Sequence, residues 1–309
     1  MRKILAADAD IPVVVELAMW TTPDMAARLA EHPHAEVRRA VAGNEATPPA
    51  VLAALITGEG LPPARRCLVC DRAETPFTHD PHCPRLDCDL PPGASCDSSH
   101  ESTVHQMHVS ALWNPATPTA TVIGFADHPS MLLRWPLAVR TDLPPEMYER
   151  LATSPEPGVR AALAENPAIG DGLIRVLAAD SDAKVVKSIA PHPGLSEARL
   201  RAMVDRHGVR VVAKVAKNPD ASPALLEDLT RHRPLVPKAF REVARHRNVT
   251  APALLACLSE RQARCIAAGH PALPSQVIVE LLADDDGQVM EAAAANPALP
   301  PAVMAKLVS

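Results

Sequence analysis

Val159-Arg-Ala-Ala-Leu-Ala-Glu-Asn-Pro167 and Val289-Met-Glu-Ala-Ala-Ala-Ala-Asn-Pro297 are two copies of one phrase. Taking the Asn or His before Pro, or the residue in its place, as an anchor gives Trp20, Asn44, Asn114, Arg140, Asn166, His192, Asn218, His246, His270 and Asn296. The steps between anchors are 24, 70, 26, 26, 26, 26, 28, 24 and 26 residues, so a single step is anomalous. Self-similarity at such a period is the signature of a solenoid.

Other positions keep phase with the anchor. Two residues before it stands Ala in nine of ten repeats, with Leu112 the exception. Seven before it the residue is apolar throughout, from Val13 and Val37 to Val289. Eight and eleven after it come pairs such as Leu52 and Leu55, Ile174 and Leu177, or Leu226 and Leu229. Apolar residues three and four apart form one stripe of a helix, so each repeat offers two short helical pieces. The small Ala lets a neighbouring backbone approach closely. Proline clusters such as Asn296-Pro-Ala-Leu-Pro-Pro301 stop one helix and start the next. The Asn side chain, or a His ring at three anchors, is suited to satisfy backbone groups left open at that corner. One repeat is too small to bury both stripes, so stacking supplies the core.

The composition agrees. The chain has 309 residues, 47% hydrophobic, with only 2% aromatic and 33 prolines. Periodic prolines on an apolar background indicate thin layers of Ala, Val and Leu in short helices. No run of 18 apolar residues is present, so no transmembrane helix is expected. Asp8, Asp10 and Glu16 interrupt the opening segment, which reads as a first repeat rather than a signal peptide. Seven cysteines without a secretory signal point to a reducing cytoplasm, where clustered thiols favour metal over disulfide.

On these repeated units the chain resembles the leucine-rich repeat variant family, over nearly everything outside the anomalous step. The resemblance implies alternating α and 3₁₀ helices in a right-handed superhelix. It also implies that a cysteine-rich iron–sulfur module can accompany the repeats. The expected fold is therefore an all-α, right-handed solenoid of about ten repeats of roughly 26 residues, with a small Cys-rich insertion. Its parts are 1–59 (N-terminal repeats), 60–104 (insertion) and 105–309 (C-terminal repeats).

The insertion holds Cys67, Cys70, Cys83, Cys88, Cys96, His79, His82 and His100. The two-residue spacing of Cys67-Leu-Val-Cys70 lets two thiolates grip one metal from a tight turn. With Cys83 and Cys88 they make a plausible closed tetrahedral site, with Cys96, His100, His79 and His82 as alternates. Zinc suits such a knuckle, and an iron–sulfur cluster, [4Fe–4S] by the resemblance, is the alternative. Cys96-Asp-Ser-Ser-His100 resembles the Cys-Asp-Gly-Ser-His motif of small two-iron proteins, but Ser98 replaces the glycine and the upstream Cys-x-Cys pair is missing. The segment has few apolar residues, so a metal would be needed to fold it. Cys257 and Cys265 fall on repeat positions and read as core filling.

No phosphate loop, nucleophile elbow or paired-carboxylate motif occurs, so the expectation is a non-enzymatic scaffold with a structural metal and a concave surface for a protein partner. Asp284-Asp285-Asp286 reads as a helix cap. The overall net charge is -5, yet residues 199–247 carry 12 Lys or Arg against 5 Asp or Glu. Arg199, Arg201, Arg206, Arg210, Lys214, Lys217, Lys238, Arg241 and Arg245 are the candidate anion- or partner-binding residues. They raise a nucleic-acid-binding alternative, and an iron–sulfur cluster would raise a redox-responsive one. Scarce aromatics argue against single-strand recognition.

Overall fold

A computed structural model describes residues 10–71 and 100–307. Among these residues the fold is all-helical, with one isolated parallel bridge between His34 and Arg66 and no strand. The chain forms two compact units. The first ends at Val159 and takes in Asn166–Ala168; the second consists of Arg160–Glu165 and the chain from Ile169 onward. Each unit is a stack of helical repeats, the arrangement of a solenoid.

Each repeat contributes a first helix after one anchor and a second helix before the next. In the first unit these include Pro49–Thr57 and Pro145–Ala152 as first helices and Ala35–Gly43, Glu101–Trp113 and Met131–Val139 as second helices. In the second unit, Asp171–Leu177, Pro223–Arg231 and Ala251–Leu258 alternate with Ala183–Ile189, Pro237–Ala244 and Arg261–Ala268. Both pieces are α-helical in most repeats. Among the described residues 3₁₀ turns occur at Ile123–Phe125 and Gly208–Arg210. Proline begins several first helices, among them Pro49, Pro145 and Pro223, where its missing N–H costs nothing. Ser196, Ser222 and Thr250 cap first helices through their hydroxyls.

The periodic apolar residues form the core. Val37, Val159, Val185, Val211 and Ala263 are fully buried seven residues before the anchor. Leu52, Leu151, Leu200, Leu226 and Leu254 are buried on the first helices, each contributing about 1.5–3 kcal/mol relative to exposure. The first repeat slips by one: Val13 is 63% exposed and Val14 is buried in its stead. In the last repeat Ala294 is exposed, unlike Ala268 one repeat earlier.

Two sets of polar contacts tie consecutive repeats. The first runs through the anchors. The Nδ2 of Asn44 donates to the carbonyls of Ala18 (3.0 Å) and Thr21 (3.1 Å). That of Asn114 donates to Ala42 (3.0 Å) and Asn44 (2.9 Å), and that of Asn166 to Ala138 (2.8 Å) and Arg140 (2.6 Å). In the second unit Asn218 reaches Ala190 and His192, both at 2.7 Å, and Asn296 reaches Ala268 (2.7 Å) and His270 (3.0 Å). Each Oδ1 meanwhile accepts the N–H two residues on, closing an Asx turn over its own corner. These asparagines are 5% exposed or less, so their bonds satisfy backbone groups at corners largely shielded from water. The second set is ionic. Six residues before the anchor, Arg134 pairs with Glu156, Arg160 with Asp180 and Arg264 with Asp284, each partner lying in the next repeat.

Candidate metal centre

The chain reaches Cys67 by a sharp path. Gly58 and Gly60 adopt positive φ (75° and 72°), turning the backbone out of helix Pro49–Thr57. Arg66 then pairs with the loop ahead of helix Ala35–Gly43: its N–H donates to Pro33 O at 3.1 Å, and its carbonyl accepts from Ala35 N–H at 3.2 Å. Two residues on, Leu68 N–H donates to Glu36 Oε1 at 2.9 Å. Glu36 thereby holds the start of the short helix Leu68–Asp71, which carries Cys70. The knuckle is thus fastened to the second repeat by backbone and side chain alike.

Cys67 Sγ lies 3.5 Å from Cys70 Sγ and accepts the N–H of Cys70 at 3.4 Å. His100 comes in from the far end of the insertion, its Nδ1 3.6 Å from Cys70 Sγ. Among the described residues these three form a group able to hold a metal ion, their ligand atoms all within 4.8 Å of one another. Cys67 and His100 are buried, whereas Cys70 is exposed.

His100 is positioned by strain. Its φ of 59° makes it a non-glycine residue in the left-handed region, an unfavourable conformation that surrounding contacts must hold. It precedes helix Glu101–Trp113, and its carbonyl accepts the N–H groups of Thr103 and Val104. That helix packs along Ala35–Gly43. The ligand group therefore joins the two repeats between which the insertion is spliced.

Of the four-cysteine set Cys67, Cys70, Cys83 and Cys88, the first two are among the described residues. Cys67 and Cys70 sit together, and the alternate His100 joins them. Cys83, Cys88, Cys96, His79 and His82 lie outside the described residues. Nothing in the local sequence pointed to Glu36 or to the Pro33–Ala35 backbone as the seat of the knuckle. His32 and His34 flank that seat, their rings 5.6 Å apart. Burial first, then the neighbouring His34, Arg38 and Arg66 charges, lower the His32 pKa.

The other candidates have structural places. Cys257 is buried with its Sγ 3.4 Å from the Phe240 carbonyl, and burial pushes its thiol up to about 12. Cys265 departs from the core-filling expectation: it is half-buried, on the outward side of helix Arg261–Ala268. Asp286 caps helix Gly287–Ala294 through the N–H of Gln288, and Asp284 is engaged by Arg264.

The basic stretch divides between two surfaces. Arg199, Arg201 and Arg206 lie on the first helix Glu197–His207. There Arg199 donates to the carbonyl of Arg175, Arg206 to that of Ala179, and Arg201 pairs with Glu197 and Asp228. Arg210, Lys214, Lys217, Lys238, Arg241 and Arg245 belong instead to the second-helix segments of two consecutive repeats.

No family model matches the chain, and no curated protein does. Among solved structures, the crystal structure of an engineered protein is similar over 92% of this chain at 16% identity, with a TM-score of 0.25; the chain spans 66% of that structure's length. No helix of the described residues is long and apolar enough to cross a membrane.

Proposed function

We propose that this protein is a non-enzymatic interaction scaffold of the leucine-rich repeat variant type, in which a structural metal fastens the insertion to the repeat array. The observation that carries the metal reading is the convergence of Cys67, Cys70 and His100. Two thiolates about 2.3 Å from one tetrahedral zinc stand about 3.8 Å apart, and a thiolate and an imidazole nitrogen about 3.6 Å apart. The observed 3.5 and 3.6 Å suit that arrangement. In a four-iron cube each cysteine binds its own iron, so two Sγ atoms are held further apart than on one ion. Zinc is therefore the favoured ion, with a fourth ligand from Cys83, Cys88, Cys96, His79 or His82. The metal would serve as a structural clamp; Glu36, Arg66 and the strained turn at His100 aim the ligands.

Metal analysis of the full chain, with an anaerobic absorbance spectrum, tests this. One zinc per chain and a colourless protein are expected. A brown protein with about four irons would replace zinc by the cluster that the family resemblance implies and open the redox-responsive reading. A chain purified without stoichiometric metal would end the metal reading.

A further inference from the structure

Second helices of consecutive repeats pack side by side, and their outward residues stand eight, five, four and one positions before the anchor, the spacing of one helical face. In three consecutive repeats of the second unit that face is basic. Helix Ala183–Ile189 presents the exposed Lys184 and Lys187. The next repeat presents Arg210, Lys214 and Lys217. Helix Pro237–Ala244 and its end present Lys238, Arg241 and Arg245. The intervening positions Val185, Ile189, Val211, Val215, Ala239 and Val243 are all buried, which fixes the cations on the opposite side.

One carboxylate lies within this strip. Glu242 is recessed, its side chain 12% exposed, and it stands 3.8 Å from both Lys217 and Arg245. It offsets one of the eight cations, so the face stays strongly positive. The strip has edges. Before it, Glu165 receives the Ser188 hydroxyl and Asp182 caps Ala183–Ile189. After it, the equivalent positions are Gln262, Cys265, Ile266 and Gly269, all uncharged.

We propose that this strip docks the phosphate backbone of duplex nucleic acid. The inference rests on the scaffold reading and names its partner. A protein interface is anchored by aromatic or large aliphatic groups closing into pockets. The strip's outward positions carry none, so an acidic protein would find charge without an anchor. They carry no aromatic ring for stacking unpaired bases either. Cations regularly repeated along a stack, without base-reading or apolar neighbours, suit sequence-independent contact with phosphates.

The experiment uses the full chain and a mixed-sequence 24-base-pair DNA, titrated by fluorescence anisotropy from low to moderate salt. About six phosphate contacts give a slope near -5 in log K against log salt. The Lys187→Glu/Lys238→Glu variant should bind at least about 30-fold more weakly at 0.1 M salt, with a shallower slope. Arg199→Glu/Arg231→Glu makes the same net-charge change on the first helices and should lose less than about fivefold. Circular dichroism and metal content confirm that both variants fold. Equal losses in the two variants, a slope near zero, or binding of polyglutamate in preference to the duplex each overturn the proposal. Stoichiometric metal with no duplex binding would sink the strip and leave the metal-fastened scaffold standing.

Discussion

The Nε2 of His246 lies 2.8 Å from the carbonyl oxygen of Asn218, one repeat earlier. Its Nδ1 accepts the N–H of Asn248 at 3.0 Å. A neutral imidazole with its proton on Nε2 thus does what an asparagine does at the other anchors: one side of the group gives to the preceding repeat, and the other receives from its own corner. His270 keeps the second half of that pattern, accepting Ala272 N–H at 3.1 Å. His192 does not: it is half-buried, and its Nδ1 lies 3.0 Å from the Pro193 carbonyl.

Asn218 is fully buried and serves two carbonyls and one N–H. Asn218→Ala should cost about 2–4 kcal/mol in urea unfolding, because it strands buried backbone groups. Asn218→His should recover part of that loss, since His246 performs the same task. Equal destabilisation by alanine and histidine would show that volume, rather than hydrogen bonding, matters at the anchor.

Arg160 and Asp180 meet through two hydrogen bonds, 2.7 and 3.0 Å, with both side chains less than 15% exposed. A double-mutant cycle of Arg160→Met and Asp180→Asn should give a favourable coupling of about 1–3 kcal/mol. Each single variant alone should destabilise more than the pair together, because it leaves the other partner buried without its counter-group. Additive effects would mean that the ionic contacts between repeats contribute nothing specific.

His100→Ala should lower bound metal several-fold and reduce the thermal stability of the first unit. Cys257→Ser should leave metal content unchanged while costing stability through a buried polar atom. Parallel elemental analysis of the two variants separates ligation from packing. Full metal retention in His100→Ala would remove His100 from the ligand set.

With its thiol pushed up to about 12 by burial, Cys257 should resist alkylation at pH 8 until the chain unfolds. Peptide mapping after a brief iodoacetamide pulse reads this directly. Labelling of Cys257 at the rate of half-buried Cys265 would contradict the packing described.

Acid should weaken the fold in two descents. Burial is the first cause lowering His32, His108, His128 and His270 below 6.5, so the unfolded chain takes up protons that the folded one refuses. Stability should therefore begin to fall as pH drops below about 6.5. The second descent comes from carboxylates. Hydrogen bonding from Arg140, ahead of that from Thr119, holds Asp142 at about 2 against an ordinary 3.8. For Asp180, burial opposes ionisation, but the bonds from Arg160 and the Asp182 N–H outweigh it and lower its pKa. Their contribution is complete above 3.8 and drains away as pH falls below it, for Asp142 toward about 2. Thermal midpoints measured from pH 8 to pH 3 should show both stages; a midpoint flat between pH 7 and pH 5 would refute the histidine stage.

Much of this was legible in the sequence because repetition multiplies a weak signal. Val37, Val185 and Val211 occupy one phase and are all buried, and Ala42, Ala190 and Ala216 occupy another. The anchors also pointed to the corners. What the sequence withheld was direction: Asn218 bonds mainly to the previous repeat, and only the stack shows which carbonyls lie beneath it. At the candidate site, spacing found Cys67 and Cys70 because a two-residue loop is local. It held His100 only as an alternate, since nothing local says that a residue 30 positions on is carried back by a helix lying along Ala35–Gly43. The basic stretch was seen as one window, although helical phase divides it. Lys184 and Lys187 fell outside that window while sharing the face of Lys214 and Arg241.

Asn114 grips Ala42 and Asn44 across 72 and 70 residues with the same two bonds that Asn166, Asn218 and Asn296 make across 28 and 26. Each asparagine corner reads two carbonyls of its predecessor, as a zip tooth reads the tooth before it. The length of thread between teeth does not enter. The interval after Thr57 is in this sense a docking bay: a foreign segment whose ends approach Arg66 and His100 could be exchanged there while the zip stays closed.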